Sequence, residues 1–207
     1  MEFLDVLRGR RSIRTFLQKE VEWWKVAEVL DAGRYAPSTG NLQNWQFLVV
    51  NDAAMKQNLA EVCLKQFWMT NGTCIVVLSG LDMMKEYYGV RGEMLYSIQN
   101  CATAMQNMLL RAYDLGLGSC WVGAVDEDIV KRVLHIPGNL RVQAIIVIGY
   151  SDEKAEVPHR YELADLVSFE KYGEKKHDSI WPIAQHNIKE KSKKKLGNFF
   201  QLKKKQK

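Results

Sequence analysis

The sequence predicts a mixed α and β protein, and three observations carry that prediction. Trp45–Val50 and residues 74–79 are short apolar, β-branched and aromatic runs with the composition of buried strands, and residues 141–148 repeat it before Gly149. Residues 95–115 instead repeat apolar side chains at helical spacing. Gly, Pro, Asn and Asp punctuate the transitions, so strands and helices interleave along the chain.

The 207 residues suit one domain or two small ones, and 47% hydrophobic with 26% charged residues is a globular composition that can build a core. No apolar run approaches the ~20 residues of a membrane span, and the opening MEFLDVLRGRR has no secretory apolar region. A cytoplasmic protein is expected. Cys63, Cys74, Cys101 and Cys120 lie in apolar contexts without metal-ligand spacing and read as reduced core thiols. The net charge of +5 is a property of the tail: residues 189–207 hold nine Lys against one Glu, a local +8, which leaves about −3 for residues 1–188. A uniformly basic face for nucleic acid is therefore not expected.

Taken in order, residues 2–8 form a short helix ending at Gly9. Arg10, Arg11, Ser12, Arg14 and Thr15 follow, and such a cluster can clamp a phosphate with paired guanidinium donors and hydroxyls. An exposed basic turn is the plain alternative. Trp23, Val26, Ala27 and Leu30 define an amphipathic helix running to Tyr35. Pro37 stops it, and Ser38, Thr39, Gly40 and Asn41 make a polar turn pinned against the strand Trp45–Val50. Rigid elements holding polar loop groups are where small-ligand sites tend to sit.

Asp52 caps a helix carrying Met55, Leu59 and Val62. Residues 81–91 read as a polar, aromatic connection without a period. In residues 95–115, Leu95, Ile98, Ala102, Met105, Leu109 and Ala112 form one face, widened by Cys101, Ala104 and Met108. Gly116 and Gly118 end that helix, Gly123 closes a brief strand, and residues 126–134 form a helix with acids first and bases last. One or two helical turns are expected over residues 162–167. The four histidines show no zinc spacing, no nucleophile elbow is present, and no general base stands out, so a metal site is not expected. A chain without an evident catalytic side chain points to a cofactor as the source of the chemistry.

Four stretches together resemble the FMN-dependent nitroreductase family, in its compact branch: RRSIRTF at 10–16, APSTGNLQNWQFLVV at 36–50, QNMLLRAYDLGLGSCWVG at 106–123, and AIIVIGY at 144–150 followed by an arginine. They occur in family order over residues 1–173. The resemblance implies an α+β fold, a central mixed, mostly antiparallel sheet flanked by helices, in an intertwined homodimer with FMN at the subunit interface. Arg10, Arg11, Ser12 and Arg14 match the motif that holds the phosphate and the nearby flavin edge, and Arg160 the late basic residue that also reaches the phosphate. Pro37, Ser38, Thr39, Asn41 and Gln43 match the loop laid on the flavin by the second subunit. Trp121, Val122 and Gly123 match the segment passing the ring.

The implied activity is that of an oxidoreductase. NAD(P)H would reduce the flavin and a small acceptor such as a quinone or nitro compound would reoxidise it, with no catalytic side chain required. Other flavin chemistry on this fold (a dehydrogenase or dehalogenase) and a non-catalytic flavin-binding or redox-sensing protein are the alternatives. Asn44 stands where the family usually has Pro, which should alter loop stiffness more than chemistry, and Asn100 stands where Asp is common. The short chain between Cys63 and Thr73 suggests a small or mobile cover over the flavin. Residues 1–173 thus read as the FMN-binding domain and 174–207 as an extension. In that extension Trp181 and Pro182 could pack on the partner. The Lys-rich end, with Phe199 and Phe200, is expected to be disordered rather than bound to a membrane surface or nucleic acid.

Overall fold

A computed structural model describes residues 1–175 of the chain. They fall into two units, Met1–Glu156 and a second that begins at Val157.

In the first unit the most continuous apolar runs take the centre of a sheet. Its strands are β1 (Trp45–Val50), β2 (Thr73–Gly80), β3 (Gly118–Val122) and β4 (Leu140–Gly149). They lie in the order β1-β2-β4-β3, every neighbouring pair antiparallel. Ser12 adds a parallel bridge to Ser119 on the outer side of β3, so the sheet is mixed and mostly antiparallel, as expected. β2 and β4 are buried on both faces because helices cover both. α2 (Trp23–Arg34) and α5 (Ser97–Asp114) enclose Ile75, Val77, Ile146 and Ile148 on one side. α3 (Ala53–Val62) and α6 (Glu127–Val133) enclose Val76, Leu78, Ile145 and Val147 on the other. α1 (Phe3–Gly9) packs on α5.

The expected cap forms, with Asp52 accepting from the Met55 N–H at 2.8 Å, and the structure adds a second: Asp126 lies just before α6 and accepts from the Ile129 N–H at 3.0 Å. Other expectations need correction. β1 is an edge strand, with only Trp45 and Val50 of its residues buried. α2 buries Val26, Val29 and Gly33, whereas Trp23 stays 64% exposed. At Gly33 an added Cβ would stand 3.0 Å from both Met108 and Phe47, so α2 lies directly on its neighbours there. Residues 81–91 are not a connection but a helix, α4 (Asp82–Arg91), broken at Gly89 (φ 59°, ψ −151°) and continued by a wide π turn, Gly92–Tyr96, into α5. Only Met84 of α4 is fully buried, so its sequence carries little periodic signal. On α5, Ile98 is exposed and the buried face includes Ser97 and Asn100.

In the second unit, α7 (Leu163–Leu166) is a single turn whose end is capped by the Lys175 ammonium, which donates to the carbonyls of Ala164, Asp165 and Val167. The expectations for Trp181, Pro182, Phe199, Phe200 and the Lys-rich end fall outside the described residues. Among the described residues, no helix is long and apolar enough to cross a membrane.

Candidate functional site

The basic segment of residues 10–14 runs alongside the outer edge of β3. The Ile13 N–H donates to the Ser119 carbonyl at 2.9 Å, and Ser12 pairs with Ser119. Paired residues of a ladder point to the same face and their neighbours to the opposite one. Ser12, Ser119 and, two residues on, Trp121 therefore share a face, while Ile13 turns inward, buried against the α3–α6 side of the sheet. The charges of Arg14 and Arg10 and the Ser12 hydroxyl act on the Cys120 thiol, which strand alternation turns to the face opposite Ser119. Burial pushes that thiol up, and the two guanidinium charges pull against it.

Arg11 departs from its expected place beside them. Its guanidinium turns back and donates to the carbonyls of Arg8 and Arg10, both at 2.7 Å, which closes the end of α1. The segment is fixed from the other side by Glu153, whose carboxylate accepts the backbone N–H groups of Arg14 (2.9 Å) and Thr15 (2.8 Å). Those bonds, that of Arg14 first, hold the Glu153 carboxyl below the usual carboxylate range. Ser151 completes the clamp by donating to the Thr15 carbonyl.

Two features fit this face to a phosphate. Arg10, Ser12 and Arg14 supply cationic and hydroxyl donors, the chemistry that phosphate oxygens require. The buried Ser119 hydroxyl, on the same face as Ser12, has no hydrogen-bond partner among the described residues. At the end of β3, Trp121 is exposed, Val122 is buried, and the exposed Gly123 leaves its backbone open beside the Trp121 indole.

The polar loop lies elsewhere. After the buried Ala36 and the exposed Pro37, a single 3-10 turn, Thr39–Asn41, precedes β1. The Ser38 hydroxyl accepts the Gln43 N–H at 3.0 Å, and the Gln43 amide reaches the Asn41 carbonyl and side chain at 3.3 and 3.2 Å. Tyr88 of α4 stands over Gly40, its hydroxyl in the space that a Cβ would take. The two positions that depart from the family pattern meet beneath this loop: Asn100 donates to Asn44 at 2.7 Å.

One chain does not bring the expected site residues together. Residues 10–14 and 121–123 lie at the β3 edge, and residues 37–43 lead into β1 at the opposite edge. Three inter-strand spacings of about 4.8 Å place the two edges roughly 14 Å apart. Arg160 belongs to the second unit, where its guanidinium donates to the His159 carbonyl at 3.2 Å. Sequence reading missed Glu153, which is 139 residues from its partner Arg14 and carries no local signature. It noted Asn100 without seeing its role, although a polar residue in the apolar face of a long helix was the available sign.

Three other thiols are unsuited to nucleophilic work, since burial pushes Cys63 up to about 11 and Cys74 and Cys101 up to about 12. Among the described residues, no group of His, Cys, Asp and Glu side chains converges as a metal site would require.

The Nitroreductase family pattern matches residues 7–68 and 60–150, a span that contains every expected site residue except Arg160. An NADH dehydrogenase of Thermus thermophilus is 30% identical over 186 residues, which covers 76% of this chain and 91% of that protein. Among solved structures, an FMN-dependent nitroreductase from Clostridium difficile superposes with a TM-score of 0.67 at 31% identity, covering 82% of this chain and 99% of that one. A nitroreductase family protein from Clostridium novyi gives a TM-score of 0.68 at 28% identity, covering 84% and 97% of the two chains.

Proposed function

Because the chain belongs to the nitroreductase family of oxidoreductases, we propose that it binds FMN and passes electrons from NAD(P)H to a small acceptor such as a quinone or a nitro compound. The observation that carries this reading is the Ser12–Ser119 pair at the β3 edge, with Arg10 and Arg14 on either side of Ser12 in the chain and a Ser119 hydroxyl that has no partner among the described residues. Arg10 and Arg14 neutralise the phosphate, Ser12 and Ser119 complete its oxygen shell, and Glu153 keeps the segment extended so that these donors stay aligned. Val122 and Gly123 offer backbone groups along the flavin ring, with Trp121 at its side. Bound FMN supplies hydride acceptance and the onward transfer of electrons, so the side chains need only bind, orient and exclude water.

The loop of residues 37–43 serves the flavin of a second copy, because its own chain carries the phosphate face on the far side of the sheet. Pro37, Ser38, Thr39, Asn41 and Gln43 are the residues it offers. A homodimer also accounts for the exposed apolar side chains Phe3, Leu4, Trp23, Trp24 and Tyr35, and for the open groove of about 380 Å³ between Phe3, Val6, Tyr35 and Leu110.

The test is the absorbance spectrum of the purified protein, followed by anaerobic titration with NADH and with NADPH. A yellow protein that releases FMN on denaturation and is bleached by a reduced nicotinamide is expected. Colourless protein that FMN cannot reconstitute overturns the reading.

A further inference from the structure

The loop before β1 is held in a conformation that its residues do not prefer. Gly40, Asn41 and Gln43 all have positive φ (60°, 56° and 47°). Glycine adopts that region freely and asparagine tolerates it, but glutamine does so only under strain. Strain of this kind persists only where the surroundings over-determine it.

The surroundings here are a buried amide pair. Asn100, from α5, accepts both the N–H (3.0 Å) and the hydroxyl (3.3 Å) of Thr39 on one side-chain oxygen. Its nitrogen donates to the Asn44 oxygen at 2.7 Å, and the Asn44 nitrogen donates to the Ser79 hydroxyl of β2 at 2.8 Å and to the Ser97 carbonyl at 3.4 Å. Both amides are 4% exposed, with the Met84 and Cys101 sulfurs as their other neighbours, so no water is at hand to replace a lost partner. Each side-chain oxygen and nitrogen of the pair thus has at least one oxygen or nitrogen partner. The chain Ser79–Asn44–Asn100–Thr39 therefore ties the turn to the sheet and to the longest helix at once.

We propose that Asn44 and Asn100 are positioning residues for cofactor binding: the pair fixes the Thr39–Gln43 turn in the strained form that meets the flavin. The inference rests on the flavin reading above. The pair touches no ligand itself, and its effect passes through Thr39. Losing Asn100 removes the acceptor of both Thr39 donors, and losing Asn44 leaves the buried Asn100 N–H without its oxygen partner, so in either case the turn is freer to relax out of the positive-φ form.

The experiment uses full-length apo-protein of the wild type and of Asn44→Ala, Asn100→Ala, Asn100→Asp and Gly40→Ala. Each is titrated with FMN by flavin fluorescence and melted without FMN. Both asparagine-to-alanine variants are expected to weaken FMN binding about tenfold or more. Asn100→Asp should bind within about threefold of wild type, because a carboxylate still accepts both Thr39 donors and the Asn44 amide can turn to offer it an N–H. Gly40→Ala strains the same turn from the Tyr88 side without touching the buried pair, and should weaken FMN binding while lowering the melting temperature less than the two asparagine-to-alanine variants do. It keeps the question open to test if the core variants fail to fold. Alanine variants that melt early yet bind FMN like wild type would reduce the pair to core packing, and a Gly40→Ala protein with undiminished FMN affinity would show that the turn's form is irrelevant. Wild-type protein that takes up no FMN overturns the flavin reading and this inference with it, a result visible before any variant is made.

Discussion

Arg11 and Arg14 come from one basic run but face opposite ways, and substituting each separates binding from stability. Arg14→Ala removes a charge-assisted phosphate contact and should weaken FMN binding about tenfold or more. Unchanged affinity would place the phosphate elsewhere. Arg11→Ala removes the two bonds that close α1, so the melting temperature should fall by a few degrees, about 1 kcal/mol, with FMN affinity nearly unchanged. Glu153 makes a further residue-scale prediction, in pH. Its folded-state pKa is depressed, so its contribution is complete above the ordinary value of 4.5 and is lost as pH falls through the depressed one. Melting curves of the wild type should therefore lose stability more steeply below about pH 4.5 than those of Glu153→Gln. Parallel curves would mean that the carboxylate's bonds to Arg14 and Thr15 do not hold the segment.

α2 meets α5 and β1 at Gly33, where there is no room for a side chain, and that is where an element-scale substitution should tell. Gly33→Leu forces four carbons into the contact of α2 with Met108 and Phe47, and overpacking of this sort costs about 1–3 kcal/mol. A lowered urea midpoint with an unchanged slope is expected, and an unchanged midpoint would mean that α2 shifts freely. Elements set by local chemistry were legible in the sequence: the aspartate cap of α3, the charge order of α6, the apolar strands β2 and β4, and the glycines that end α5. Elements set by tertiary contact were not. Trp23 looked like core by hydrophobicity alone, and α4 was hidden because Gly89 breaks its period while most of its side chains stay outside. The site divides the same way. Arg10, Ser12 and Arg14 could be read from the motif, but not that strand alternation turns Arg11 away, nor that Glu153 arrives from the far end of the chain.

At the scale of the whole molecule, the placement of the two site halves makes a prediction that no single-chain site shares. The phosphate face borders β3, the polar loop borders β1, and the sheet stands between them. If one flavin is bound by the arginines of one copy and the loop of another, two defective chains can repair each other. Arg14→Ala keeps a sound loop, and an Asn41→Ala/Gln43→Ala chain keeps a sound phosphate face. Each alone builds only damaged sites. Unfolded together in equal amounts and refolded, they should form mixed dimers in about half of all pairings, and each mixed dimer holds one site with both halves intact and one with neither. About a quarter of all sites should then bind FMN with wild-type affinity, seen as a tight phase in a titration that neither parent shows. A site contained within one chain predicts no tight phase at any mixing ratio, so the titration distinguishes the two arrangements directly.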